Sequence, residues 1–325
     1  MKGLPLKQWP CSPFSQSGDM APMDYLLCGW CVRSALALPE LLPWPFGERT
    51  VPDITIRETS VPAVLDNPVT QGESLVVSAD GSVLLHIKGL VRILARGGNE
   101  IFVEILRHEA SEGWRLFLLG STLGHIIHQR GLFPLHAACL KVAGRTIAIA
   151  GASGMGKSTL AMAMVQRGHA LLSDDLTVIQ QAGLAIPHVL PAFPRLKLWR
   201  DTLEKLAIDP GGVPRVRDGM DKFNLASSHS FGFDPAPSPL HAVLLLNEQA
   251  ALGLAAVPVL EAAAAIRDHM FRPGIGALLG KAHQGRLFRQ SVALASTVKI
   301  RRLQRPKEFA ALAATIDLIE EHFAS

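Results

Sequence analysis

The chain has 325 residues, 48% hydrophobic and 18% charged, with a net charge of +4 from 32 basic and 28 acidic side chains. That length holds one large domain or two ordinary ones, and the apolar content excludes a disordered chain. The mild positive charge suits an anionic ligand such as a nucleotide. The Lys and Arg are scattered, however, which argues against a nucleic-acid partner. The longest uncharged run, Leu176 to Pro194, is broken by Gln180, Gln181, Pro187, Pro191 and Pro194, so no membrane span is expected. The opening "MKGLPLKQWPCSPFSQSG" lacks the apolar core of a secretory signal, and a cytoplasmic location follows as the expectation.

The first 20 residues are rich in Pro, Ser and Gly, and their start is expected to be poorly ordered. Cys28 and Cys31 form a C-x-x-C, but no second ligand pair for zinc accompanies it. Nor does a strand-to-helix context for a redox motif, so buried reduced thiols are expected. From Tyr25 to about Glu104 the text is strand-like, with turn signals at Asp80-Gly81 and at Gly97-Gly98-Asn99. Residues 1–130 therefore read as a β-rich module suited to docking or substrate recognition. Within it "GWRLFLLGSTLGHIIHQRG" carries Leu116, Leu119, Leu123 and Ile126 at helical spacing, with Gly131 as a stop.

Residues 131–325 read as an α/β catalytic domain. "FPLHAACLKVAGRTIAIAG" predicts two strands around Ala143-Gly144, the second buried on both faces. A helix, the strand "ALLSDD", a hairpin in "LTVIQQAGLAI" and a short helix in "RDTLEKLAI" come next. After a loop rich in Gly and Arg, "HAVLLLNE" reads as a buried strand and "VLEAAAAIRDHM" as a helix. "ASTVKIRRLQRP" is a late strand, its Lys299, Arg301 and Arg302 alternating with apolar residues, and an amphipathic helix closes the chain after Pro306. Strands alternating with helices predict a layered α/β core.

Gly151-Ala152-Ser153-Gly154-Met155-Gly156-Lys157-Ser158 satisfies G-x-x-x-x-G-K-[ST] between a buried strand and a helix, as a phosphate-binding loop requires. Its backbone amides can cradle phosphate oxygens at the helix N-terminus, with Thr159 completing the first turn. Lys157 would reach the β- and γ-phosphates, and Ser158 would hold Mg²⁺. Asp174 and Asp175 end the next strand, only seventeen positions after Lys157. Adjacent parallel strands deliver their C-terminal ends to one edge, so the pair should face the loop. Two carboxylates there can divide the work, one holding metal and one accepting the proton of an attacking hydroxyl. Neither the N-K-x-D of a switch GTPase nor the L-S-G-G-Q of a transporter ATPase is present. Arg195, Arg215, Arg217 and Lys222 are candidates for further phosphate or substrate contacts, arginine's planar fork being suited to phosphate. His125, His128, His188 and His229 form no convincing metal-ligand spacing.

The stretch "LHAACLKVAGRTIAIAGASGMGKSTLAMAMVQRGHALLSDDLTVI", Leu135 to Ile179, resembles the catalytic domain of HPr kinase/phosphorylase over about 45 residues. The resemblance implies a P-loop kinase core of the HPr-kinase and PEP-carboxykinase type. It implies ATP and Mg²⁺ as cofactors, Asp174 as base, Asp175 as metal ligand, and His136 near the phosphates. It also implies, by analogy, a homo-oligomer. The family's downstream Glu-x-Arg-Gly-x-Gly signature is absent, and "VLPAFPRLKLW" lies in its place, which argues against HPr as acceptor. The text is similar to a divergent HPr-kinase-related group, some members of which phosphorylate a serine of ribosomally made precursor peptides, notably those of lasso peptides. The expectation is an ATP-dependent serine kinase acting on a peptide or protein. A small-molecule kinase and a non-catalytic nucleotide-binding regulator are the alternatives.

Overall fold

The structure, a computed structural model, describes residues 21–106, 113–211, 213–217, 219–226 and 232–324. The first 20 residues and His229, named above, lie outside the described residues.

Nine short strands make the amino-terminal sheet: β1 (Met23–Leu27), β2 (Trp30–Ser34), β3 (Leu42–Pro43), β4 (Ile54–Glu58), β5 (Pro68–Gln71), β6 (Leu75–Ser78), β7 (Val83–Ile87), β8 (Val91–Arg96) and β9 (Glu100–Ile105). They lie in the order β3-β1-β2-β4-β9-β8-β7-β6-β5. The C-x-x-C occupies the β1–β2 hairpin, with Cys28 and Gly29 at positive φ in the turn and Cys31 paired with Leu26. Two left-handed residues match the twist of a two-residue hairpin loop. Cys28, Cys31 and Cys139 are all free and buried, as expected for structural thiols.

One nearly continuous helical segment then runs over residues 114–129, as α1 (Trp114–Phe117), a π-helical turn at Leu118–Thr122 and α2 (Leu123–Gln129). Leu123, Ile126 and Ile127 are fully buried, each contributing about 1.5–3 kcal/mol relative to exposure. They share one hydrophobic cluster with the amino-terminal sheet and with Leu176, Val178, Leu190 and Phe193 further along the chain. The boundary expected at residues 130 and 131 thus falls inside a shared core, not in an open linker.

The second sheet contains β10 (Phe133–Leu135), β11 (Ala137–Val142), β12 (Arg145–Ala150), β13 (Ala170–Ser173), β14 (Thr177–Gln180), β15 (His188–Leu190), β18 (Ser238–Glu248), β19 (Gly253–Ala256) and β20 (Lys299–Arg305). A separate ribbon pairs β16 (Arg195–Trp199) with β17 (Lys222–Ala226). Main helices are α3 (Lys157–Gln166), α4 (Arg200–Lys205), α5 (Val259–Asp268), α6 (Pro273–Leu278), α7 (Lys281–Thr297) and α8 (Leu312–Ala324). Strands β12, β18 and β20 run parallel at the centre.

Period-two alternation explains the layering. Ala138, Leu140, Ile147, Ile149, Ala242 and Leu244 face the cluster of α3 and α8. Cys139, Ala148, Ala150, Val243 and Leu245 face the cluster of α5 and α7. Both faces are covered, which is why these strands read as unbroken apolar runs. The α/β core with a β-rich amino-terminal part matches the expected fold class. One topological expectation is corrected: β12 and β13 are not neighbours, because β11 lies between them and pairs antiparallel with both. Two reversals leave β12 and β13 pointing the same way, so their C-terminal ends still reach one edge. No helix among the described residues is long and apolar enough to cross a membrane.

Candidate active site

The phosphate loop leaves β12 at Gly151 and enters α3 at Lys157. Gly156 holds φ at +83°, which demands glycine, and a Cβ there would meet the Arg305 guanidinium at 2.7 Å and displace it. The Lys157 ammonium folds back on the loop and donates to the carbonyls of Gly151 at 2.8 Å and Ala152 at 3.1 Å. Burial pulls its pKa below the ordinary lysine value, against the pull of the two aspartates. Arg305, at the end of β20, is 5% exposed and donates to the Met155 carbonyl at 2.6 Å, bracing the loop from beneath. Thr159 faces Thr202 of α4 at 3.5 Å between hydroxyl oxygens.

β13 ends at Ser173, and the two aspartates lie in the bend beyond it, with Asp175 in the left-handed region at φ +66°. That kink sends the carboxylates different ways. Asp174 is 9% exposed; its Oδ1 accepts from the Ser158 hydroxyl at 2.8 Å and its Oδ2 from the Lys197 backbone N–H at 2.9 Å. Asp175 Oδ2 accepts from the Lys197 ammonium at 2.8 Å. One residue of β16 therefore clamps both carboxylates, by backbone and by side chain. Burial and then the Asp175 charge push the Asp174 pKa up to about 6, against the bonds from Lys197 and Ser158. Burial is the largest single influence on Asp175 and acts to raise it, but the Lys197 charge and hydrogen bond, joined by Lys222 and His136, together outweigh it and hold the carboxyl below the ordinary range.

His136 joins the group from the bend between β10 and β11. Its Nδ1 lies 2.8 Å from the Asp175 carbonyl. A carbonyl only accepts, so Nδ1 carries the proton and Nε2 the lone pair. Burial first, then the Lys157 charge, keep the imidazole below its usual pKa and hence neutral.

Two clefts meet here. The first, about 380 Å³, is lined by Ser153, Gly154, Gly156, Lys157, Ser158 and Thr159 on one side. Trp199, Lys205, Lys222, Arg305, Phe309 and Leu312 face them. The second, about 570 Å³, opens between the helix of residues 114–129, the residues Val216, Arg217 and Met220, and the turn at residues 270–273. His136, Asp175 and Lys197 line both. Asp174 lines neither.

Of the four basic candidates, Lys222 lies in the first cleft beside the Trp199 ring and Arg217 in the second. Arg215 lies outside both, against Phe223 and the Asp221 carboxylate. Arg195 is 7% exposed and stacks on Phe193 beneath the aspartate pair, which corrects its expected place at a phosphate. Lys197, two residues on, takes the cleft position; the signal was "RLKLW", two cations alternating with leucines. Arg305 and Phe309 carried no local signal.

Comparison with known proteins agrees on the segment that holds the loop. The sequence model of the HPr Serine kinase C-terminal domain matches residues 132–187. The HPr kinase/phosphorylase of Prosthecochloris aestuarii is 34% identical over 94 residues, 29% of this chain and 26% of that protein. The enzyme of Chlorobium phaeovibrioides is 28% identical over 100 residues, 28% of this chain and 30% of that protein. This chain thus spans about a quarter to a third of the length of these curated relatives. The solved HPr(Ser) kinase/phosphatase of Coxiella burnetii aligns with 58% of this chain and 89% of its own at 12% identity and a TM-score of 0.33. The protein is HPr-kinase-like across the segment carrying His136, the phosphate loop and both aspartates.

Proposed function

We propose that this chain is an ATP- and Mg²⁺-dependent kinase that transfers the γ-phosphoryl group to a serine hydroxyl of a peptide or protein. The observation that carries the reading is the split of the aspartate pair. Asp174 is tied to the phosphate-loop hydroxyl of Ser158, while Asp175 stands where the two clefts meet. The relatives' description as serine kinases supports the reaction class.

The roles of the two aspartates are the reverse of those the family resemblance implied. A general base must reach the proton it takes, and geometry ranks ahead of pKa. Asp174 has the higher pKa but lines neither cleft and reaches the first through its bond to Ser158. Asp175 has access and is kept ionised by Lys197, ready to accept a proton. The Ser158 hydroxyl and the Asp174 carboxylate form a hard-oxygen donor set that fits Mg²⁺, which takes one or two carboxylates plus substrate phosphates. When bound, the ion supplies charge neutralisation at the β- and γ-phosphate oxygens.

In the transfer, the serine oxygen forms its bond to the γ-phosphorus as Asp175 takes the hydroxyl proton. The bond from that phosphorus to the β–γ bridging oxygen breaks, and ADP leaves with the electron pair. Lys157 exchanges its loop carbonyls for the phosphates, and the loop amides hold them in line. His136, bonded to the Asp175 carbonyl, fixes the kinked peptide that aims the base. Residues 1–130 serve substrate recognition, their helix at residues 114–129 forming one wall of the second cleft.

The test supplies purified protein with Mg²⁺, γ-labelled ATP and serine-bearing peptides, with HPr alongside. Phosphoserine on a peptide, lost in Asp175→Asn, is the expected result. ATP bound with no acceptor labelled would overturn the serine-kinase reading.

A further inference from the structure

The second cleft begins where the proposed base ends, and its lining has a definite chemistry. Phe117, Met220 and Phe271 supply apolar walls, and Arg217 and Arg272 stand at its exposed rim. The Phe271 ring is fixed in place: it packs so closely on Gly124 of α2 that a Cβ there would meet it at 3.1 Å. Its backbone N–H also donates to the Pro134 carbonyl at 2.9 Å. The π-helical turn just before Gly124 contributes Gly120 and Ser121 to the lining. Such turns recur at functional sites because they widen a helix and turn residues out of the regular stripe.

Among the described residues the charge does not balance within the cleft. Lys197 is neutralised by Asp175, and His136 is neutral. Arg217 and Arg272 have no carboxylate partner among the described residues. Arg272 also holds a left-handed backbone at φ +53°, a strained position of the kind found at ligand clamps. A hydroxyl at Asp175, an apolar pocket beside it and two guanidinium groups without a carboxylate partner among the described residues define three fixed points for one ligand.

Building on the kinase reading above, we infer that the second cleft selects the acceptor as a peptide whose serine lies beside a bulky apolar residue and close to acidic side chains. The apolar residue enters between Phe117, Met220 and Phe271. The carboxylates meet Arg217 and Arg272 at the rim, which also steers an acidic segment toward a site already poised over nucleotide phosphates.

Direct binding tests this apart from transfer. Capped heptapeptides carry a central Ala in place of Ser, leucine or phenylalanine on one side and two glutamates on the other, in both orders. Calorimetry with the ADP-loaded protein compares them with peptides carrying lysines for glutamates or glycine for the apolar residue. At least tenfold tighter binding of one acidic, apolar peptide is expected, and the double variant Arg217→Glu/Arg272→Glu should reverse the charge preference. Binding of a nucleotide by that variant reports that it folds. Equal binding of all peptides, binding of none, or a preference unchanged by the reversal would overturn the inference. If the acidic peptide binds as expected but its Ser form is never phosphorylated, the recognition surface stands and the kinase reading fails.

Discussion

The cleft over the phosphate loop takes most of one wall from six residues between Ser153 and Thr159, whereas the second cleft is assembled from the helix at residues 116–121, from Val216, Arg217 and Met220, and from the turn at residues 270–273. The first is a local device: glycine torsions, a helix N-terminus and one lysine, all set within a few positions. The second exists only once the amino-terminal helix has packed against the α/β core. The two share His136, Asp175 and Lys197, so on the proposed kinase reading chemistry is confined to their junction while nucleotide and acceptor are recognised by unrelated means. On that reading, the difference teaches that a nucleotide site can be carried in a short segment while the acceptor site is free to be rebuilt around it.

The largest effect that would break this picture lies at the junction. Asp175→Asn should cost transfer on the order of 10²–10⁴-fold, the usual share of a general base, with Mg²⁺-dependent nucleotide binding retained. Asp174→Asn should instead weaken the Mg²⁺ dependence of nucleotide binding. Titration of both variants with and without Mg²⁺ checks the division, and the opposite pattern would return the base role to Asp174.

Gly156→Ala sharpens the local side of the comparison. A left-handed alanine costs about 1–2 kcal/mol, and its Cβ would press on the Arg305 guanidinium. Nucleotide affinity should fall by about tenfold or more, while peptide binding in the second cleft changes little. Equilibrium binding of both ligands separates the two effects.

A smaller signature is expected in stability against pH. The folded Asp174 carboxyl is raised to about 6 from an ordinary 3.8. The native state therefore holds a proton that the unfolded chain has lost across that window. Stability contributed by the protonated form is complete below about pH 4 and fades as pH rises toward 6. Asp174→Asn should flatten that part of the denaturation profile. The smallest effect concerns the thiols: a reductant should leave the melting temperature unchanged, since Cys28 and Cys31 are free in the hairpin.

Much of the architecture was legible because it rests on periodicity and punctuation. The hairpin at Asp80-Gly81, the strands around Ala143-Gly144 and the helix closing the chain all stand where pattern put them. Helix α7, the longest among the described residues, carries a weaker signal. Its buried stripe is His283, Leu287, Ser291, Leu294 and Ala295, so two of the five are polar, and Gly285 lowers the helix signal further. The π-helical turn is equally hidden, since its residues read as ordinary helix formers.

By itself, then, the sequence determined the phosphate loop, its strand and helix, and the presence of two aspartates at the sheet edge, because those depend on neighbours along the chain. Which aspartate reaches open space was decided by tertiary structure. The left-handed kink at Asp175 and the clamp from Lys197 on a different ribbon turn the two carboxylates apart. The same holds for Arg195 and Lys197, alternate residues of one strand: packing on Phe193 buries the first, and the cleft receives the second. Side-chain type sets what each residue can do, but only contacts between distant segments settle which of two like neighbours does it.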